Sequence, residues 1–302
     1  MTQAHIKYPK LMISALYCST IVATCIMLAK AYGFFVTGSM AVFASLIDSL
    51  LDIFSSMVNL LAMKLALQPP DNKHRFGKDK IEDLAIFAQS IFFFASGLFT
   101  MFSSAQRLMT PRIIEKSEVG INVMLLSFAL TAILITYQTI VIRKTKSRLV
   151  KADKLHYLVD FLCNGSVIAS LYLSQRWAAI DGIFGILIAC YIIWSAYGLF
   201  LQASKNLIDQ EFNEEERHKI IKLLATYNDR VYAVHELKTR YAGSKPFIQC
   251  HLEMQGDMSL LDAHTISENI SKELEELFPG AEVIIHQDPV GVDEEMKYRE
   301  IL

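Results

Sequence analysis

Six stretches of the chain, near 11–34, 38–66, 82–109, 119–142, 155–174 and 179–203, are predominantly apolar over at least 20 positions each. A bilayer hydrocarbon core about 30 Å thick is crossed by a helix of about 20 residues. The pattern therefore predicts six membrane-spanning helices. After residue 207 it changes to short elements. Asn213 followed by Glu214, Glu215 and Glu216 reads as a cap with acids in the first turn, opening a helix to about Tyr227. Alternating runs at 231–241 and 247–254 read as strands joined by the turn signal Gly243-Ser244-Lys245-Pro246. Ser259 with Asp262 opens a second helix through Phe278, Pro279-Gly280 stops it, and Glu282 to His286 reads as a last strand. The predicted fold is an α-helical membrane domain of six transmembrane helices over 1–207, followed by a ferredoxin-like α+β domain, order αββαβ, over 208–302.

Average composition conceals this division, but charge reveals it. Residues 1–207 hold 19 Lys+Arg against 11 Asp+Glu, whereas residues 208–302 hold 10 against 20, and the formal charge of −2 combines +8 with −10. About one charge per seven residues in the first 207 excludes both a single soluble domain and a disordered chain. Met1 to Lys10 is polar with Pro9 and no cleavage-site pattern follows, so the N-terminus is expected to stay where it is made. Lys7 and Lys10, the second loop (Lys64, Lys73, Arg75, Lys78, Lys80) and the fourth (Arg143, Lys144, Lys146, Arg148, Lys151, Lys154) place 13 cations on one side. Lys30, Arg107, Arg112, Lys116 and Arg176 give the other side five. The positive-inside rule then predicts both termini, and the acidic tail domain, in the cytoplasm. Such a tail suits divalent cations and not nucleic acid.

The ionisable residues inside apolar stretches carry the candidate chemistry, because a charge at bilayer depth is costly and marks an ion pathway. The second span has Asp48 and Asp52, and the fifth has His156 and Asp160, each pair spaced i, i+4 on one helix face. Two such helices face to face offer three carboxylates and one imidazole to a single point. Four ligands at about 2.0–2.2 Å suit tetrahedral Zn²⁺, and the imidazole argues against Mg²⁺ and Ca²⁺, while Cd²⁺, Fe²⁺ and Mn²⁺ stay open. In the tail, Ile248, Cys250, Leu252 and Met254 form the apolar side of a strand, which puts His251 on the polar side with Gln249 and Glu253. His218 reads as solvated. Cys18, Cys25, Cys163 and Cys190 lie in apolar spans, Cys250 lies in the tail, and no CxxC pair exists, so neither a disulfide framework nor a zinc knuckle is expected. Cys163, three residues from Asp160, reads as a packing position with a soft ligand as the alternative. There is no GxxxxGK[ST] for ATP drive and no HExxH for a metalloenzyme.

These pairs, the six spans and the αββαβ tail resemble the cation diffusion facilitator family, most closely its bacterial ferrous-iron/zinc efflux pump branch. The resemblance extends to Gly38-Ser39, Gln68-Pro69-Pro70-Asp71, His74-Arg75-Phe76-Gly77, Phe247 to Met254 and Val283 to Pro289. It implies a homodimeric secondary transporter in the bacterial inner membrane, with a metallochaperone-like tail, that exports Zn²⁺, with Cd²⁺ or Fe²⁺ as alternatives, in exchange for protons. Its transport site would be Asp48, Asp52, His156 and Asp160, with His156 the main proton carrier. Its cytoplasmic binuclear site would be His235, His251, His264, His286 and Asp288, the carboxylate bridging two metals near the dimer interface, where zinc is sensed. The branch also has a loop site of one Asp and two His, but the matching positions here are Asp71, His74 and Lys78. Protonated lysine is a poor ligand. Loss of that site, weak binding, and substitution by Asp79 all stay open, and Lys80 with Asp209 is a candidate pair between the domains.

Overall fold

The computed structural model describes residues 9–37, 40–109, 118–173, 180–291 and 299–301, which separate into two compact units, Tyr8–Ser204 and Lys205–Leu302. Gly38-Ser39, Lys7, Arg112, Lys116 and Arg176 lie outside the described residues, as does the side chain of Cys163. Six long helices come first: α1 (Pro9–Thr37), α2 (Met40–Ala66), α3 (Lys80–Met109), α4 (Glu118–Thr145), α5 (Arg148–Leu173) and α6 (Ile180–Leu207). Each predicted apolar stretch falls on one of them.

Lipid tails are as apolar as the side chains, so membrane helices pack by close fit between small residues. Accordingly α1 packs on α2 and α4, and α5 on α4 and α3, with Ala15, Ala23, Ala62, Ala66 and Ala152 buried. A methyl added at Gly97 of α3 would stand 2.8 Å from Ile193 of α6, so that contact requires glycine. The large apolar groups turn outward instead: Phe35, Phe99 and Trp194 are 83%, 72% and 73% exposed, a surface suited to hydrocarbon and not to water.

Among the described residues five helices are long and apolar enough to cross a membrane, and α5 is the exception. It carries Lys151, Asp153, Lys154, His156 and Asp160, yet Asp153 and His156 are only 1% and 7% exposed. A helix walled in by other helices does not need an apolar surface, and α5 turns its polar face inward. Its start is set locally. Lys146 takes φ 53°, which ends α4, and the Ser147 hydroxyl accepts from the Val150 N–H at 3.3 Å to cap α5. Lys30 differs from the topology count, which placed it with the flanking cations: it lies within α1, partly buried, with its side chain turned into the bundle.

The second unit contains α7 (Glu214–Leu224), a 3₁₀ turn (Ala225–Tyr227), β1 (Val231–Ala242), β2 (Lys245–Met254), α8 (Leu260–Leu277), β3 (Glu282–Pro289) and β4 (Arg299–Ile301). The Asn213 side chain accepts from the Glu216 N–H and the Glu216 side chain reaches back, so the predicted cap of α7 is a complete capping box. Gly243, at φ 56°, and Ser244 form a two-residue turn between β1 and β2. α8 then carries the chain across to β3, parallel to β2, giving the sheet order β3-β2-β1-β4. Ile220 and Leu224 of α7 and Ile266, Ile270 and Leu274 of α8 pack on Ile248, Cys250, Leu252 and Met254, leaving the other sheet face uncovered by these helices. β4 was not anticipated because three residues carry no readable alternation. Asp209 accepts from the Arg240 guanidinium of β1 at 3.1 Å.

Candidate metal centres

Between the membrane helices a cavity of about 320 Å³ is lined by Lys30, Asp48, Asp52, His156, Asp160 and Asn164, with Phe93 and Tyr157 among its apolar walls. α2 supplies Asp48 and Asp52 one turn apart, and α5 supplies His156, Asp160 and Asn164 on successive turns. His156 Nε2 stands 3.0 Å from Asp52 Oδ1 and 3.7 Å from Asp160 Oδ2. Ligands about 2.0–2.1 Å from a tetrahedral ion stand about 3.3 Å apart, so these separations already fit one coordination sphere. The imidazole is stacked on Phe93 (centroids 5.7 Å, 16°), which fixes its plane. His156 Nε2 is buried without an aligned hydrogen bond, as is common for a ligand and unusual for a structural histidine. The donors of Asp52, His156 and Asp160 all lie within 4.8 Å of one another, and Asp48 lines the same cavity outside that close group.

The second cluster is on the open face of the tail sheet. His235 of β1 is paired with His251 of β2, and His251 with His286 of β3, so three imidazoles stand in a row across the strands. A bulge at Glu236, φ 50°, lets Val234 and Leu237 both face the core while His235 stays on the other face. Asp288, two residues after His286, joins the row: its Oδ2 lies 3.1 Å from His235 Nε2 and 3.0 Å from His251 Nδ1, and its Oδ1 lies 3.1 Å from His286 Nε2. One carboxylate thus addresses three imidazoles through both oxygens. Both ring nitrogens of His235 are buried without aligned hydrogen bonds, so the donor set fits a resident Zn²⁺. His264 lies exposed on α8, outside the close group of His235, His251 and Asp288, and His218 is exposed on α7. Glu253, placed by alternation on the polar side, is 6% exposed beside Asp288 and is not water-facing.

Residues 16–208 match the family model described as the cation efflux transmembrane domain, and residues 212–290 match that of the cation efflux protein cytoplasmic domain. The chain belongs to the cation efflux family. It is 51% identical over 295 residues to Protein p34 of Rickettsia rickettsii (strain Sheila Smith), covering 97% of each chain. It is 40% identical over 286 residues to the cation-efflux pump FieF of Citrobacter koseri, covering 94% of this chain and 95% of that one. Among solved structures it is similar to the metal-bound C-terminal domain of the CzcD transporter from Thermotoga maritima, at 32% identity and a TM-score of 0.25, over 26% of this chain and 93% of that one.

In the loop from Gln68 to Lys78 a lysine stands beside Asp71 and His74. Asp71 Oδ1 accepts from the backbone N–H groups of Lys73 and His74 and lies 3.1 Å from His74 Nδ1, while Asp71 Oδ2 lies 2.8 Å from Lys78 Nζ. Lys78 also donates to Gln68 Oε1 at 3.0 Å. The Lys78 ammonium first, and the backbone donors after it, hold the Asp71 carboxyl well below the usual carboxylate range.

Sequence reasoning missed Asp153. It accepts from Ser19 Oγ at 2.5 Å, Gln138 Nε2 at 2.7 Å and Asn59 Nδ2 at 2.9 Å, drawing α1, α4 and α2 onto α5. Asp153, His156 and Asp160 share one helical stripe, and that spacing was the available signal. The flanking Lys151 and Lys154 made the segment read as loop. Asn164, one turn beyond Asp160, lies inside a predicted apolar stretch and was missed because an uncharged amide does not stand out there.

Proposed function

We propose that this chain exports Zn²⁺ from the cytoplasm in exchange for protons, as a homodimer in the bacterial inner membrane with both termini cytoplasmic. The observation that carries this reading is the group of Asp52, His156 and Asp160, three convergent donors in a cavity walled by apolar helices. One imidazole with carboxylates favours Zn²⁺ over Mg²⁺ or Ca²⁺, with Cd²⁺ and Fe²⁺ as the competing cargoes. Metal and protons contend for the same lone pairs. Cargo binding expels the proton from His156 Nε2 and from the carboxylates, and reprotonation on the far side expels the cargo. Helices rocking around the site would expose it to each side in turn.

The tail cluster supports a sensing role. Zn²⁺ held by His235, His251, His286 and Asp288, with His264 contributing from α8, would neutralise acidic repulsion and favour the dimer by mass action. We read the Asp71 loop as having exchanged its metal for Lys78.

Proton exchange is tested by adding Zn²⁺ to one side of sealed vesicles containing the protein and following a pH-sensitive dye. Exchange predicts proton movement opposite to zinc. Zinc entry without proton movement would identify a channel.

A further inference from the structure

The cavity holds one cation that none of the ligand assignments uses. Lys30 lies within α1, and its ammonium donates to the fully buried Ser49 hydroxyl of α2 at 2.7 Å. Ser49 is the neighbour of Asp48, and Lys30 lines the cavity together with Asp48, Asp52, His156 and Asp160. A lysine within a membrane helix ordinarily extends its stem toward the interface and leaves its ammonium in water. Here the ammonium is tied inward, beside carboxylates.

We propose that Lys30 is a tethered counter-cation of the transport cavity, offsetting part of the charge of Asp48, Asp52 and Asp160 so that a divalent cargo is held and still released. The inference rests on the reading of Asp48, Asp52, His156 and Asp160 as the transport site. Without Lys30 the cavity loses the one lysine or arginine among its described lining residues. A divalent ion facing the same carboxylates without the ammonium is then held more tightly. Tighter holding of the bound state, without equal stabilisation of the step that moves it, lowers turnover.

Zinc flux into proteoliposomes, measured across zinc concentrations, tests this with the full chain. For Lys30→Gln the apparent KM falls about tenfold or more and the maximal rate falls with it, as expected for removing one unit charge from a partly dry site. Lys30→Arg keeps the charge and restores both parameters toward wild type. Ser49→Ala removes the tether and frees the ammonium to turn toward the interface, so KM falls in the same direction as for Lys30→Gln but by less. The proposal is overturned if Lys30→Gln keeps or raises KM, if Lys30→Arg fails as Gln does, or if Ser49→Ala keeps or raises KM. The last result stands even where Lys30→Gln does not fold. Asp160→Asn is run alongside. If it transports like wild type, the transport-site reading fails. If it is inactive while Lys30→Gln behaves as wild type, the Lys30 inference alone fails.

Discussion

Lys78 Nζ stands 2.8 Å from Asp71 Oδ2 and neutralises it as a bound cation would. Because the folded-state pKa of Asp71 is depressed, the contribution of this contact is complete above the unfolded carboxylate value of about 4 and is lost as pH falls through the depressed folded value. Carbon-13 NMR of the Asp71 carboxyl should show it still ionised at pH 4 in the wild type. In Lys78→Ala its midpoint should move up toward the usual value.

The same loop predicts a gain of function. Lys78→His supplies a third donor beside Asp71 and His74 and removes the competing ammonium. Isothermal titration of the purified protein should then show additional zinc bound per chain relative to wild type. Unchanged stoichiometry would mean that the loop geometry, and not Lys78, excludes the metal.

Asp153→Ala takes the acceptor from the buried Asn59 amide, while the Ser19 hydroxyl keeps the Ala15 carbonyl and the Gln138 amide keeps Ser19. An unsatisfied buried group costs about 1–3 kcal/mol, so the loss of stability should be at least of that order. Ser19→Ala removes one donor and leaves the carboxylate with two, and should cost less. Thermal unfolding in detergent gives the comparison. Equal and small shifts would mean that water enters the cluster readily.

Much of this arrangement was legible beforehand, for physical reasons that also explain the gaps. The span pattern is readable because a bilayer demands long apolar runs, and the pairs Asp48/Asp52 and His156/Asp160 stand out because charges are rare there. The caps at Asn213 and Ser259 were readable because they are local. Asp153 was hidden among lysines. The row of His235, His251 and His286 depends on strand register, which a bulge at Glu236 shifts and which alternation within a single strand does not report. Lys30 was read as a flank because a lysine in sequence does not show which way its stem turns.

In the tail, Asp288 is the side chain shared by the whole row. Asp288→Ala should weaken zinc binding at that cluster at least about tenfold, read by zinc titration of the full chain in an Asp160→Ala background that silences the membrane site. His286→Ala should cost less than His235→Ala, since the His286 side chain is 62% exposed and that of His235 only 3%. The reverse order would place the metal away from β1.

The central claim is that Asp52, His156 and Asp160 hold the transported ion. Zinc flux into proteoliposomes carrying an opposing pH gradient tests it most directly, comparing wild type with Asp52→Ala of equal reconstitution. The wild type should transport zinc, faster with the gradient than without it, and Asp52→Ala should show no flux above empty liposomes while its tail still binds zinc. Wild-type flux through Asp52→Ala would contradict the account.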